Sequence, residues 1–267
     1  MEISQKVKPV SSEHSIKEAN ISLFLANRIP HPDSFHELFD LGFNKLFNQI
    51  EMIGASSFKI NQGVPDTKTL VKEDNIGFRF LRKDGEDVFR VLQGRNEPDR
   101  AYLSFHTLDY KGWQPFREEF TTLFSKIAEY KPSISIKAYS LHYVDQFYWI
   151  ADEPLDVSVI FERRSKMIPE EFFNSTNAIY SWVKERNVNE TIYLDQLNFE
   201  FDYTSKEPLV TIRHNAFRLL EEVTEIANLI NGEEFITLLN NAHDHNKQTL
   251  GEILTNDLQI LIKLKKP

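Results

Sequence analysis

Between residues 57 and 108 the chain consists of short runs in which apolar and polar side chains alternate. Side chains of a strand point alternately to its two faces, so this alternation predicts half-buried β-strands. One pair of runs is joined by Lys83-Asp84-Gly85-Glu86, and Asp-Gly readily adopts the positive φ of a hairpin turn. Hairpins in series favour an antiparallel sheet over alternating parallel βαβ units.

The rest of the sequence adds further strands and several helices. Alternation predicts a strand over 21–29, one or two strands over 133–150, a strand over 156–162, and a hairpin of 191–203 with 209–219. Apolar residues spaced by three and four predict helices from Ser34 to about 50, over 113–130, over 169–186, and from about 220 onward with breaks near 231–232 and 255–257. Residues 1–20 are predicted to form a loose arm.

This order of elements predicts an α+β fold in which helices pack on one face of antiparallel hairpins. We treat residues 1–267 as a single domain, although the length alone does not decide between one large core and two packed half-domains. Residues 20–131 and 132–267 have a similar order of elements, which suggests two similar halves.

Composition narrows the classes of protein further. The chain has no cysteine, which excludes disulfides, thiolate metal sites and cysteine nucleophiles. It has neither an apolar signal segment at its start nor a run of about 18 apolar residues, so we expect a cytoplasmic protein that does not cross a membrane. No phosphate-binding glycine motif is present, and we predict no cofactor and no metal.

The best polar candidate is a hairpin rich in arginine. Although the net charge of −9 disfavours non-specific binding of nucleic acid, arginines crowd into one short region. They are Arg79, Arg82, Arg90, Arg95 and Arg100. Guanidinium groups on a strand face could bind phosphates or an acidic partner. The alternative is a solvated face whose charge is offset by the nearby acidic residues.

Two aromatic positions are further candidates for binding. Trp113, after Gly112, could stack on the ring of a ligand, or it could fix the following helix to the sheet while Gly112 permits a tight turn. His142 lies on an aromatic-rich strand and could either contact a ligand or be a buried, hydrogen-bonded histidine.

Metal-dependent chemistry has weaker support. His243 and His245 are two residues apart, and on a helix such side chains point about 200° away from each other, so they would not share an ion. Asp66, Asp109 and Lys111 resemble the acid and lysine sets of metal-dependent nucleases, but similar short strings recur by chance. No pattern of a catalytic nucleophile is present.

Several motifs resemble a sporadically distributed family of uncharacterised bacterial proteins of about 250–270 residues. The similar segments are the Tyr110-Lys111-Gly112-Trp113 start of a helix, the strand His142-Tyr143-Val144-Asp145, and the closing helix with His243. In that family the strand tends to read Arg-Tyr-Ile-Asn, so this chain departs from it at His142 and Asp145. The resemblance implies no established activity, and the patchy distribution implies association with mobile or defence-type gene cassettes.

These observations favour a non-enzymatic binding or interaction protein, accessory to a defence or toxin–antitoxin-like cassette, whose partner is another protein or a second copy of the chain. One alternative is a metal-dependent hydrolase or nuclease. Another is binding of nucleic acid or phosphate through the arginine-rich hairpin.

Overall fold

A computed structural model describes residues 2–61, 64–175, 178–188, 190–202 and 208–266. In this part of the chain, ten antiparallel strands form a single sheet. The strands are β1 (Val7–Pro9), β2 (Ile16–Leu25), β3 (Gln49–Asn61), β4 (Val64–Asp84), β5 (Asp87–Asn96), β6 (Ala101–Thr107), β7 (Ser135–Trp149), β8 (Ala178–Val188), β9 (Thr191–Asp202) and β10 (Leu209–Glu225). The α-helices are α1 (Glu37–Asp40), α2 (Trp113–Tyr130), α3 (Ile226–Asn231), α4 (Glu233–Ile253) and α5 (Asn256–Leu261). The predicted α+β class is confirmed.

The order of strands across the sheet is β3-β4-β5-β6-β2-β7-β10-β9-β8, and β1 pairs with the end of β7. In each half, the first long strand lies at the centre, the last strand returns to pair with it, and a helix follows. In the first half these are β2, β6 and α2, and in the second half they are β7, β10 and α4. Whether this shared order reflects a duplication stays a prediction.

One face of the sheet is covered by α2 and α4. The buried stripe of α2, which includes Phe116, Phe120, Phe124 and Ile127, packs in one core with inward residues of β2, β6 and β7. The C-terminal turns of α4 pack in a second core with inward residues of β9 and β10. Side chains of β7 contribute to both cores, which makes them continuous across the sheet.

The predicted helix from Ser34 to about 50 is wrong as a continuous helix. The segment instead forms 3₁₀ turns at Pro32–His36 and Phe43–Lys45 around the single turn of α1, and it becomes strand at Gln49. Gly42, with φ of 112°, ends the α-helical turn. Phe35, Phe43 and Phe47 are nevertheless buried and Phe39 is partly buried, as their spacing predicts. Phe35 stacks on Phe78 of β4 with ring centroids 4.3 Å apart.

The predicted helix over 169–186 is also wrong. Among the described residues of this segment, Glu170–Asn174 alone is helical, as a 3₁₀ turn after Pro169, and strand β8 begins at Ala178. Tyr180 and Trp182 alternate with exposed Ile179 and Val183, and β8 pairs along its whole length with β9. The pairing with β9 overrides the helical spacing of the apolar residues.

Three smaller predictions are corrected. Residues 156–162 form a 3₁₀ turn at Val157–Val159 rather than a strand, because the carboxylate of Asp156 accepts a hydrogen bond from the Ser158 amide. Residues 1–20 are not a loose arm, since β1 pairs with β7 and β2 begins at Ile16. The C-terminal region becomes helical at Ile226, after β10, rather than at about 220.

No α-helix of the described ranges combines the length with the apolar character that crossing a membrane requires.

Gly94 of β5 offers a test of packing in the first core. A Cβ at this position would lie 2.5 Å from Cε1 of Phe78 and 2.8 Å from Cδ2 of Leu103, both of which are fully buried. We expect Gly94→Ala to lower the free energy of unfolding by about 1–3 kcal/mol, because the buried side chains of Phe78 and Leu103 must shift to admit the methyl group. Urea denaturation measures the change.

The matched control is Gly251→Ala in α4, where the nearest atom to an added Cβ is Oε1 of Gln259 at 3.7 Å. Since alanine favours a helix interior by up to about 1 kcal/mol over glycine, this variant should be at least as stable as the wild type. Equal stability of the Gly94→Ala variant and the wild type would contradict the close contact of Phe78 with Gly94.

Candidate functional site

The interface between α4 and the sheet contains an unusual number of polar side chains. The buried side of α4 includes His243, His245, Asn246 and Thr249 among its apolar residues. A buried polar group without a hydrogen bond costs about 1–3 kcal/mol, so a layer of this kind requires partners. These partners define two adjoining sites: a cleft at the edge of α4, and a fully enclosed Asp-His-His cluster.

The cleft brings together the three motifs that carry the family resemblance. Tyr110 and Trp113, Asp145 of β7 and His243 of α4 line it, and it has a volume of about 210 Å³. Its other walls come from the residues before β2 and from the C-terminal segment, namely His14, Ser15, Lys247, Leu250 and Lys263. Segments that are distant in sequence therefore meet at one cavity.

Gly112 and Trp113 shape one wall of the cleft. Gly112 precedes α2 with φ of 119°, a conformation that favours glycine, as the tight turn predicts. The indole of Trp113 stacks on the imidazole of His243 with ring centroids 4.4 Å apart, and its Nε1–H donates to Oδ1 of Asn240 at 2.9 Å. Trp113 therefore fixes α2 to α4 rather than to the sheet, and its predicted role in ligand binding stays a prediction.

Asp145 is a fully buried carboxylate at the wall of the cleft. Its Oδ1 accepts a hydrogen bond of 2.5 Å from the hydroxyl of Ser15, whereas its Oδ2 is buried and has no hydrogen-bond partner among the described residues. Burial raises the pKa of Asp145 to about 6, and the hydrogen bond from Ser15 opposes this shift.

Two tyrosines connect the cleft to α4. The rings of Tyr110 and Tyr143 pack edge to face with centroids 6.0 Å apart, and the hydroxyl of Tyr143 lies 2.9 Å from Nδ1 of His243. Burial raises the pKa of both tyrosines above their ordinary value. Burial, aided by the nearby charge of Lys247, lowers the pKa of His243 to about 3. At neutral pH all three groups are therefore uncharged.

The enclosed cluster consists of Asp195 of β9, His214 of β10 and His245 of α4. One donor atom from each residue lies within 4.8 Å of the other two, and all three residues are buried. Nε2 of His214 is 3.2 Å from Oδ1 of Asp195, and Nε2 of His245 is 2.8 Å from Oδ2 and 2.9 Å from Oδ1. Both imidazoles thus direct the same nitrogen at one carboxylate.

Neighbouring side chains hold the cluster in place. Nδ2 of Asn246 lies 2.8 Å from Nδ1 of His214, and the ring of Tyr193 stacks on His245 with centroids 4.6 Å apart. Nδ1 of His245 is buried and has no hydrogen-bond partner among the described residues. Because the carboxylate of Asp195 only accepts hydrogen bonds, Nε2 of each imidazole carries the proton that it donates to Asp195.

Charge in the cluster is balanced by hydrogen bonds. Burial acts to raise the pKa of Asp195, but the hydrogen bonds from His214 and His245 outweigh it and lower the pKa to about 2. Burial also lowers the pKa of His214, and Asp195 opposes that shift. Nη1 of Arg186 lies 3.7 Å from Oδ2 of Asp195, while its Nη2 makes hydrogen bonds of 2.9 and 3.1 Å to Glu252.

The two histidines of α4 face different surroundings, as their spacing predicts. His243 contacts Trp113 and Tyr143, whereas His245 contacts Asp195. The sequence analysis did not identify Asp195 or His214 as partners of His245. Both residues occupy positions where alternation along β9 and β10 calls for an inward, apolar side chain, so a signal for them was present.

His142 lies on the opposite face of β7, which none of the α-helices in the described part of the chain covers. It lines a groove of about 190 Å³ with Asn20, Ser104, His106 and others. Burial lowers the pKa of His142 to about 4, so its imidazole is neutral near pH 7. In the same groove, Nδ1 of His106 lies 2.7 Å from the carboxylate of Glu18. Ligand binding by His142 stays a prediction.

The arginine-rich hairpin does not gather its guanidinium groups on one surface. Arg79 lines the open face near Glu51, at 3.6 Å, whereas Arg90 points to the helix side and lies 2.5 Å from Glu119 of α2. Arg82 is paired with Arg90 across the strands and is exposed, and Arg95 lies 4.0 Å from Glu97. Alternation along β4 places Arg79 on the opposite face from Arg82, which is level with Arg90 of β5, so the expectation of one strand face that carries the guanidinium groups is wrong.

The acids of the predicted nuclease site lie on different parts of the sheet. Asp66 belongs to β4, opposite Lys59, and its side chain is outside the described part of the structure. Asp109 follows β6 and pairs with Lys111 at 2.6 Å. Arg82 of β4 is level with Thr107 of β6, so Asp66 is on the order of 50 Å along the strand from Asp109. One ion cannot contact both carboxylates.

Comparison with protein-family models, with curated proteins and with solved structures finds no match to this chain. The family resemblance therefore stays a prediction, and the function rests on the geometry of the site alone.

The raised pKa of Asp145 predicts a specific dependence of stability on pH. Because its pKa is about 6 in the folded protein and 3.8 ordinarily, the folded state holds this proton more tightly than the unfolded chain does. As the pH rises from about 4 to about 6, we expect deprotonation of Asp145 to lower the free energy of unfolding by up to about 3 kcal/mol in total. Above about pH 6 this group contributes no further change. Urea denaturation from pH 4 to 8 measures the effect.

Two variants isolate the contribution of Asp145. Asp145→Asn removes the titrating group, so the difference between wild type and variant should show the decline between pH 4 and 6. Ser15→Ala removes the hydrogen bond that opposes the shift, so the decline should extend to higher pH. A difference curve for Asp145→Asn that does not change with pH would contradict the raised pKa.

Proposed function

We propose that this protein is a non-enzymatic binding protein that holds a small ligand in the cleft beside α4, with a hydrogen-bond donor of the ligand on Asp145. The observation that carries the proposal is the carboxylate of Asp145, which lines the cleft, is fully buried, and has an oxygen without a partner among the described residues. A buried carboxylate oxygen without a hydrogen bond destabilises the folded protein unless a donor reaches it. A ligand with an amino group supplies that donor.

The chemistry of the walls narrows the class of ligand. Nε2 of His14 donates to the carbonyl of Tyr110 at 3.0 Å, so in the neutral ring Nδ1 is an acceptor, and it too is buried without a partner among the described residues. Two acceptors, Asp145 Oδ2 and His14 Nδ1, suit an ammonium group. Lys247 and Lys263 at the exposed rim suit an anionic group. The combination favours a zwitterion such as a free amino acid.

Binding without catalysis is favoured because Asp145, whose pKa of about 6 lies near neutral pH, has no proton-exchanging partner among Tyr110, Tyr143 and His243. A general acid or base works best with a pKa near the operating pH. Tyr110 and Tyr143 have pKa values raised above their ordinary range, and His243, with a pKa of about 3, is neutral and held between Trp113 and Tyr143. These groups do not exchange protons readily near pH 7.

Native mass spectrometry of the protein purified from its own host at low salt tests the proposal. We expect the mass of the wild type to exceed that of the bare chain by the mass of one small molecule per chain. The Asp145→Asn variant should lack this additional mass. In a second arm, the melting temperature is measured with each of the twenty free amino acids, with putrescine and with spermidine. At least one of these compounds should raise the melting temperature of the wild type but not of the Asp145→Asn variant.

The control variant is Asp109→Asn, which changes an exposed carboxylate outside the cleft and should retain the ligand. The proposal is overturned if the wild type carries no additional mass and none of these compounds shifts its melting temperature. The non-enzymatic part is overturned if the bound compound is converted to a product of different mass on incubation with the pure protein. The predicted partner protein or homodimer would be seen in the same spectra as a second chain.

A further inference from the structure

We infer that Asp195, His214 and His245 form a binding site for a divalent transition-metal ion of the zinc class, separate from the cleft. The donor set is two imidazole nitrogens and one carboxylate, a combination that binds Zn²⁺ and neighbouring first-row ions. The three residues come from β9, β10 and α4, so the fold itself assembles the set. This inference does not depend on the proposed ligand of the cleft.

The distances suit an ion at the centre of the cluster. The carboxylate oxygens of Asp195 lie 2.8–3.2 Å from the two Nε2 atoms. For an ion about 2.0–2.1 Å from each donor atom, such separations correspond to angles of roughly 85–105°, as in tetrahedral or octahedral coordination. The three donor atoms lie within 4.8 Å of one another, and one ion at about 2.0–2.1 Å from each would hold the two imidazole nitrogens at most about 4.2 Å apart.

The negative charge of Asp195 is only partly neutralised by the neighbouring cationic side chain, so the cluster still favours a cation. Arg186 is the nearest guanidinium, at 3.7 Å, but its two hydrogen bonds to Glu252 are shorter and offset its positive charge. An ion in the cluster would take the place of the two Nε2 protons that now lie between the imidazoles of His214 and His245 and the carboxylate of Asp195. The side chain of Arg186 is 15% exposed and that of Glu252 is 39% exposed, so this ion pair lies between the cluster and the solvent.

The surroundings of His214 match those of a metal-binding histidine, whereas Nδ1 of His245 has no acceptor among the described residues. A histidine that binds metal through Nε2 donates its Nδ1–H to a neighbouring acceptor. Asn246 lies 2.8 Å from Nδ1 of His214, and rotation of its amide by 180° presents Oδ1 in place of Nδ2 at the same position. Asn246 therefore satisfies His214 with the ion and without it. The stacked ring of Tyr193 fixes the orientation of His245.

Metal content and metal binding test the inference on the full chain, purified without a histidine tag. We expect the protein treated with a chelator and then dialysed to take up one Zn²⁺ or Co²⁺ per chain by isothermal titration calorimetry. Bound Co²⁺ should give a visible absorption spectrum characteristic of nitrogen and oxygen ligands. Asp195→Asn and His245→Gln should abolish uptake, and Asn246→Ala should weaken it by about 10–100-fold.

The control is His142→Gln, which removes a histidine from the opposite face of the sheet and should bind one ion as the wild type does. Circular dichroism of each variant without metal distinguishes loss of the site from loss of the fold, and the Co²⁺ spectrum of the wild type needs no variant. The inference is overturned if the wild type takes up neither ion at micromolar concentration, or if uptake persists in a folded Asp195→Asn variant. In the first case the cluster is a hydrogen-bonded structural network, and in the second the ion binds elsewhere.

Discussion

The pairing of β7 with β2 on one side and with β10 on the other holds the two halves of the sheet together. β7 carries the inward side chains Tyr139, Leu141, Tyr143, Asp145, Phe147 and Trp149, which reach from the core under α2 to the core under the end of α4. Because these residues alternate along one strand, their spacing is set by the backbone. The position of Asp145 in the cleft, opposite α4, is therefore as rigid as the sheet itself.

The polar layer under α4 has a structural consequence of its own. Apolar side chains pack in many arrangements of similar energy, whereas a buried hydrogen bond specifies the partners and their distance. The contacts of Tyr143 with His243 and of His245 with Asp195 fix the rotation and the height of α4 against the sheet, and the contact of Trp113 with His243 fixes α4 against α2. A shift of α4 by one residue would break all of them at once.

Sequence reasoning predicted the α+β class, the helix α2 and the hairpin of β9 and β10, because periodicity and turn residues are local signals. It failed for β8 and for the segment before β3, where strand pairing and Gly42 decide the conformation of residues whose spacing is helical. The site was missed for a different reason. Asp145, Asp195 and His214 each interrupt an inward apolar pattern, which marks them as unusual, but only the fold shows which helix they face. Cavities formed by residues 14, 110, 145 and 243 have no local signature at all.

The two buried carboxylates of the layer show how surroundings assign different roles to the same group. Asp195 receives hydrogen bonds from two histidines, which outweigh the effect of burial and lower its pKa to about 2. Asp145 receives one, from Ser15, and burial raises its pKa to about 6. Asp195 is thus ionised and surrounded by imidazole nitrogens, which is the state in which a carboxylate binds a metal ion. Asp145 is an anion whose Oδ2 has no donor among the described residues, and a donor that arrives through the cleft would stabilise its charged form. The difference follows from the sheet, which places Asp195 beside His214 on the neighbouring strand and leaves Asp145 at the cavity.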